Sequence, residues 1–346
     1  MDTTTRTTRA AHALSRLAEI AFAFVNSQAL LSAFELGVFD ALADGPTTSE
    51  EVAKRAGIHP VACRRLLMTL ASLDLVACNK GTFTNTELGQ FCSSRAEVEI
   101  GAVSKNAPFY HMTEYLSDAL RDNSPRWQQA LGTSAENAFG SLYADPGRLR
   151  DFAKLMNAMS MPQGQLIAEC FDFAPHQCIM DVAGGPGGQA IQIGLKHQHL
   201  RGIVTDLEPV CVVAREQIEA NGLGSRFTAV AADLIAGPYP PGADVLLLGH
   251  ILHDWSDETC LTILRNCAAA LPAGGTLLVS ESVLRPDFSG SNLAHLKDLL
   301  MLVANEPNAR ERSEDEYRSL LDATGFDVVD VLRLDAPRDL LVAKKR

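Results

Sequence analysis

The sequence lacks the signatures of several large protein classes. Its cysteines, Cys63, Cys78, Cys92, Cys170, Cys178, Cys211, Cys260 and Cys267, include no CxxC pair, and no histidine stands near them at zinc-ligand spacing. A disulfide framework or structural metal is therefore not expected, and they read as reduced, small apolar residues. No GKS or GKT occurs, which argues against an ATP-hydrolysing phosphate loop. The opening MDTTTRTTRAAHALSRL has no uninterrupted apolar run suited to a signal peptide, and no later stretch reads as a membrane-length apolar block. Basic residues are in deficit, 30 against 42 acidic, for a formal charge of −12. That charge repels phosphate backbones and the anionic cytoplasmic leaflet, so neither nucleic acid nor membrane is an expected partner. A soluble cytoplasmic protein is expected. Internal repeats and low-complexity segments are absent.

At 346 residues, 47% of them apolar, the chain is globular in composition and exceeds the usual reach of one core, so more than one domain is expected. The expected division is residues 1–105, a helical linker over 106–176, and residues 177–346. Residues 10–43 read as helix with few interruptions, and 20–36 are apolar on most faces, which requires cover from elsewhere in the chain or from another subunit. Phe22, Phe24, Leu30, Leu31, Phe34 and Leu36 carry that excess and predict a homodimer. Residues 47–76 have the rhythm of a helix-turn-helix: Thr48 or Ser49 caps the first helix, Gly57 ends it and Pro60 opens the second. A turn at Asn79-Lys80-Gly81 closes a small hairpin and completes a winged-helix pattern. The second helix offers only Arg64 and Arg65 before it turns apolar, so packing and dimerisation are preferred over DNA reading.

Helices are expected to continue over residues 108–161, and from Gln177 short apolar runs alternate with amphipathic stretches. Residues 178–183, 202–206, 227–231, 245–248 and 276–280 read as strands, which predicts an α/β fold with a largely parallel sheet. The terminal FDVVDVLRLDAPRDLLVAKKR adds an antiparallel edge pair. The glycine-rich DVAGGPGG, Asp181 to Gly188, joins the first strand to a helix, where backbone can approach a ligand closely. Asp206 ends the second strand, placed for both hydroxyls of a ribose, and Asp233-Leu234 follows the third, placed for an adenine. Together they predict an adenosine site, with helix capping as the plain alternative for the two acids. His253 lies just past a strand at the carboxyl edge, with His250 competing for the same role. Ser256, Asp257 and Glu258 read as a helix start, and Glu281 follows an apolar strand.

The segments DVAGGPGG, TDLEP, AADL, HILHDWSDE, SES and NARERS, in this order, resemble the metal-independent small-molecule O-methyltransferases of the caffeate, flavonoid and acetylserotonin type, bacterial polyketide-tailoring relatives included. ALLSAFELGVFDAL and the winged-helix segment resemble that family's dimerisation domain, so the likeness covers nearly the whole chain. The resemblance implies a Rossmann-like methyltransferase sheet, S-adenosylmethionine (SAM) as cofactor, no metal, and a small aromatic acceptor, phenolic or of polyketide type, with residues 1–105 as dimerisation domain, 106–176 as linker and substrate-pocket region and 177–346 as catalytic domain. It implies His253 as general base with Glu281 and Glu311 flanking it. On the cofactor side it implies Asp181, Gly184, Gly185, Gly187, Asp206, Leu207, Asp233, Leu234, His250, Ser160 and Tyr143, and on the acceptor side Met159, Asn305, Met301 and Trp255. Two positions depart from the pattern. Ala183 replaces the first glycine of the usual turn, and Gly249-His250 stand where a basic or polar residue is common. An imidazole with an ordinary pKa of about 6.5 is available as a base at neutral pH, whereas a free phenol at about 10 is a weak nucleophile. The alternatives are a SAM-binding regulator without catalysis, or a member drifted to N-methylation or hydroxylation.

Overall fold

The computed structural model describes residues 3–96, 107–134, 145–289, 292–334 and 338–346. The chain divides into two compact units, Met1–Lys105 and Asn106–Arg346, with residues 106–176 falling in the second.

In the first unit, the continuous helix expected over residues 10–43 is three helices, Thr3–Ala21, Ala23–Glu35 and Val38–Ala41. The breaks fall at Phe22, which leaves helical geometry, and at Gly37, whose φ of 67° suits glycine. Ala11–Glu35 is long and apolar enough to cross a membrane by length and composition, although no such block was expected. Its Asp, Glu, Lys and Arg residues are Arg16, Glu19 and Glu35, which leaves the stretch Ile20–Phe34 without a charge. Phe22 and Phe24 are 63% and 52% exposed within the chain. Further on, the Thr48 hydroxyl accepts the Glu51 N–H and caps the helix Ser49–Ala56, Gly57 ends it at φ 67°, and Pro60 opens Pro60–Ser72. Strands β1 (Thr47–Thr48), β2 (Val76–Asn79) and β3 (Thr82–Asn85) form a small sheet in the order β1-β3-β2. Lys80 and Gly81, both at positive φ, make the two-residue turn of the β2-β3 hairpin. Phe39, Leu42, Val52, Leu67, Leu70 and Phe83 fill the core.

The second unit opens with helices Ala107–Thr113, Leu116–Asp122 and Trp127–Leu131, followed by the long helix Pro146–Cys170, capped by the Asp145 carboxylate. Strands β4 (Cys178–Val182), β5 (Arg201–Asp206), β6 (Phe227–Ala231), β7 (Val245–Gly249), β8 (Thr276–Glu281), β9 (Phe326–Leu332) and β10 (Asp339–Lys345) form one sheet in the order β6-β5-β4-β7-β8-β10-β9. The first five run parallel, and β10 inserts antiparallel to both β8 and β9. VLLLG of β7 is apolar throughout and TLLVSE of β8 is buried at every residue because both faces of the sheet are covered. Successive residues of β7 supply opposite cores: Leu246 and Leu248 pack with Ile263 and Tyr317, while Val245 and Leu247 pack with Ile167 and Ile193.

Strand order reverses between β4 and β7, which opens a crevice beyond the carboxyl ends of the parallel strands. The antiparallel sense of β10 places its first residue, Asp339, opposite Glu281 at the end of β8. The residue that enters β10 therefore lies at the same edge as the ends of the parallel strands.

Candidate active site

The turn after β4 is built to keep side chains away from one spot. Gly185 and Gly187 take positive φ, and so does Ala183 at 53°, a conformation that costs a non-glycine residue about 1–2 kcal/mol. A Cβ on Gly184 would fall 2.5 Å from the Asp181 carboxyl carbon, and one on Gly188 would fall 2.3 Å from the Ser160 hydroxyl. The Asp206 carboxylate accepts the N–H groups of Gly185 at 2.9 Å and Leu207 at 2.7 Å, tying the end of β5 to the turn. Burial pushes its pKa up to about 6. Asp181 accepts the Ala190 N–H, and burial pushes it up to about 7. Asp233 caps the next turn by accepting the Ile235 and Ala236 N–H groups, both at 2.8 Å, and stands beside half-buried Leu234. Leu207 is exposed, Met159 and Ser160 are half-buried on the long helix, and Tyr143 lies outside the described residues.

Two further side chains at this cradle were not expected. Both amide atoms of Gln189 are buried without a hydrogen-bond partner, as is the Asn157 Oδ1. A Cβ on Gly249 would sit 2.0 Å from the Gln189 Oε1, and one on Gly188 would sit 2.8 Å from the Asn157 Oδ1. Orphaned polar atoms at a glycine-lined turn, beside two acids, fit a nucleoside ligand that brings its own donors and acceptors. A polar residue in the buried first turn of the helix Gly188–Lys196 was the available sequence signal for Gln189.

The end of β7 leads from Gln189 to the histidines. His253 sits in the short helix Leu252–Asp254 and is 2% exposed. Its Nδ1 lies 2.8 Å from the Glu281 Oε2 and its Nε2 lies 3.1 Å from the Asp254 Oδ1. The other Glu281 oxygen accepts the Ile251 and Leu252 N–H groups, so this carboxylate fixes both the ring and the backbone carrying it. Burial alone would lower the pKa of His253, but the charges of Asp254 and Glu281, each hydrogen-bonded to the ring, raise it well above 6.5. The two carboxylates therefore favour the charged ring more than an ordinary imidazole pKa would. Burial would raise Glu281, yet His253 and the two amides hold it below the usual carboxylate range.

Glu311 lies 3.8 Å from the His253 Nδ1, fully buried, with neither oxygen hydrogen-bonded. Burial pushes it up to about 7. Ligand atoms of His253, Glu281 and Glu311 fall within 4.8 Å of one another, a spacing a metal could use. The nearby cations of Lys297 and Arg338 oppose a further positive ion at this cluster. His250, at φ 67°, packs edge-on against His253 with ring centres 4.0 Å apart. Burial, and then the charges of His253, Arg338 and Lys297, push its pKa well below 6.5. Of the two competing histidines, only His253 has carboxylate partners.

Asn305 donates to Asp254 at 2.7 Å and to the Met301 sulfur at 3.0 Å, so it anchors the loop that carries His253. Trp255 packs against the core that includes Leu252 and Cys260, and its carbonyl is held by Arg312. Fully buried Arg312 donates to the carbonyls of Leu252 at 2.7 Å and Trp255 at 2.6 Å, and to Asp257 at 2.9 Å. It clamps the loop on both sides of His253. Asp254, Lys297, Arg312 and Arg338 were not anticipated as site residues. Asp254 and Arg312 lie inside HILHDWSDE and NARERS, and Lys297 is a lone cation in the apolar LAHLKDLLMLVA, whereas Arg338 left no such mark.

A family profile for the O-methyltransferase domain matches residues 113–327, and one for the O-methyltransferase dimerisation domain matches residues 18–95. The chain is 32% identical over 329 residues to a 3-hydroxy-5-methyl-1-naphthoate 3-O-methyltransferase of Streptomyces sahachiroi, covering 93% of this chain and 92% of that protein. It is 31% identical to an N,N-dimethyltransferase of Streptomyces rimosus, with 96% of each chain covered. The crystal structure of human N-acetylserotonin methyltransferase in complex with SAM superposes with a TM-score of 0.87 at 28% identity, covering 96% of this chain and 97% of that one. With the glycine cradle, the strand-end acids and the buried histidine–carboxylate cluster set in this sheet, the chain belongs to the SAM-dependent O-methyltransferase family, with that family's dimerisation domain at its N-terminal side.

Proposed function

We propose that this enzyme methylates a hydroxyl of a small aromatic molecule, that His253 takes the acceptor's proton, and that it works as a homodimer formed through the Met1–Lys105 unit. The observation that carries the chemistry is His253 held between Glu281 at 2.8 Å and Asp254 at 3.1 Å, one strand end away from the glycine cradle. Bound SAM supplies a methyl group on a positive sulfur that leaves as a neutral thioether. Asp206 would accept the ribose hydroxyls, Asp233 and Leu234 would flank the adenine, and Gln189 and Asn157 would satisfy their orphaned amides on the rest of the cofactor.

The chain's own task is alignment and disposal of one proton. Glu281 fixes the His253 tautomer and stabilises the charged ring, as carboxylate partners do for catalytic histidines generally. Asp254, 41% exposed at its side chain, can release Nε2 to the acceptor hydroxyl. With the charged ring favoured, productive binding requires one proton to leave: loss from the ring leaves a neutral imidazole that takes the hydroxyl proton, loss from the hydroxyl leaves a phenolate beside the imidazolium, and the two states differ only by transfer of that proton within the pair. A raised pKa also makes the neutral ring a stronger base, closer in strength to a phenolate. An aromatic acceptor is supported by the Streptomyces sahachiroi relative, a naphthoate 3-O-methyltransferase. A second reading, methylation of an amine, is supported by the N,N-dimethyltransferase relative. The charge of −12 fits a cytoplasmic protein.

Incubation with SAM and a panel of phenols, naphthols and aryl amines, with product masses recorded, tests this. Methylated phenols or naphthols are expected. Product on the amines alone would favour the second reading, and no product on any acceptor would overturn both.

A further inference from the structure

Beyond the histidine cluster, the site edge holds a buried cation that the proton chemistry does not use. Arg338 immediately precedes β10 and is 5% exposed, yet its Nη1 has no hydrogen-bond partner. The adjacent carboxylate is taken elsewhere, since Asp339 pairs with Arg333 at 2.6 Å and approaches Arg285 at 3.8 Å. Position is fixed by the sheet. β10 runs antiparallel with Asp339 opposite Glu281, so Arg338 stands at the edge where the parallel strands end. Its carbonyl is held by Gln163, which also donates to Ser280 beside Glu281. Lys297 reaches the same place from the helix Leu293–Ala304, with its ammonium 3.2 Å from the Ser282 hydroxyl on the other side of Glu281.

A buried guanidinium with an idle N–H is costly unless a ligand completes it. Among the described residues no protein group completes it: Glu281 is committed to His253 and two backbone amides, and neither Glu311 oxygen is hydrogen-bonded to it. We propose that Arg338 and Lys297 form a recognition subsite for a carboxylate carried by the acceptor, so that the preferred substrates are aromatic hydroxy acids. The inference rests on the methyltransferase reading above and adds to it a second anchor point on the ring. Arginine presents paired N–H donors that match a carboxylate, and lysine adds a point charge.

The test is calorimetric titration of the protein saturated with S-adenosylhomocysteine, using hydroxybenzoates and hydroxynaphthoates against the matching carboxamides. Wild type should bind at least one acid more tightly than its amide by about tenfold or more, as expected for a charge-assisted contact. Arg338→Met should erase that difference while leaving amide and S-adenosylhomocysteine affinities near wild type. Lys297→Met should reduce it, and Arg338→Lys should restore part of it. Equal binding of every acid and its amide, no acid binding up to millimolar concentration, or an unchanged ratio in Arg338→Met would each overturn the subsite. Loss of S-adenosylhomocysteine affinity in Arg338→Met would also overturn it, because the cation would then serve the cofactor's carboxylate. Methyl transfer is read separately: acid preference without any methylated product would retain the subsite and remove the reading on which it was built.

Discussion

Burial holds the Asp206 carboxyl at a pKa of about 6 against 3.8 for a free aspartate, although two backbone N–H groups already bind it. A carboxyl whose pKa rises on folding destabilises the ligand-free protein once ionised, and that penalty is relieved as pH falls through 6 towards 3.8. Ionisation is nevertheless what suits it to accept two ribose hydroxyls. Asp206→Asn should therefore raise the melting temperature of the ligand-free protein at pH above 7 and weaken SAM by roughly ten- to a hundredfold. Differential scanning fluorimetry with and without SAM reads both effects, and unchanged SAM affinity would remove Asp206 from the cofactor site. At the histidine, the raised pKa depends on two carboxylates, so kcat/KM should rise with pH through an inflection above 6.5. Glu281→Gln withdraws one of them. Its inflection should shift down, with turnover reduced, and a wild-type inflection in that variant would mean that Glu281 does not set the proton affinity of the ring.

The element that positions His253 is a loop after β7, held from a distant part of the chain. Arg312 donates to carbonyls on both sides of His253 and to Asp257, all from full burial. Arg312→Met would orphan those carbonyls, each at a cost of about 1–3 kcal/mol, and would remove an ion pair with half-exposed Asp257 that Arg310 still partners. Chemical denaturation should register that loss, and kcat should fall more than SAM affinity because the cradle does not depend on this loop. Equal loss of both would mean the residue supports the fold alone. This clamp also shows what the sequence made legible. The glycine turn, the strand-end acids, the Thr48 cap and the Lys80-Gly81 turn are local features, each written in a few consecutive residues. Arg312 on Leu252 is set by packing of the segment before the helix Glu314–Asp322 against the loop after β7, and Arg338 beside Glu281 by how β8 and β10 pair, neither of which any spacing along the chain encodes. The break at Phe22 was equally hidden, because its composition is as apolar as that of the helices around it.

At the scale of the molecule, the first unit leaves Leu14, Leu17, Ile20, Phe22, Phe24 and Val25 exposed along one helical stretch. A patch of that kind is larger than scattered surface residues account for, and it requires cover. The dimerisation-domain match over residues 18–95 supports a second copy of the chain as the cover. Multi-angle light scattering should report a dimer at micromolar concentration, and Phe22→Asp with Phe24→Asp should shift it towards monomer. Co-sedimentation of the wild type with lipid vesicles, together with a monomeric mass in solution, would instead assign Ala11–Glu35 to a membrane surface.

The chemical step is tested most directly by single-turnover kinetics with SAM preloaded and a confirmed phenolic acceptor at pH 7, comparing His253→Ala with wild type. Removing a general base typically lowers the rate by about 10²–10⁴-fold. His253→Ala should bind SAM as tightly as wild type and lose turnover in that range. Near-native turnover in His253→Ala would mean that alignment alone drives methyl transfer and that His253 does not take the proton.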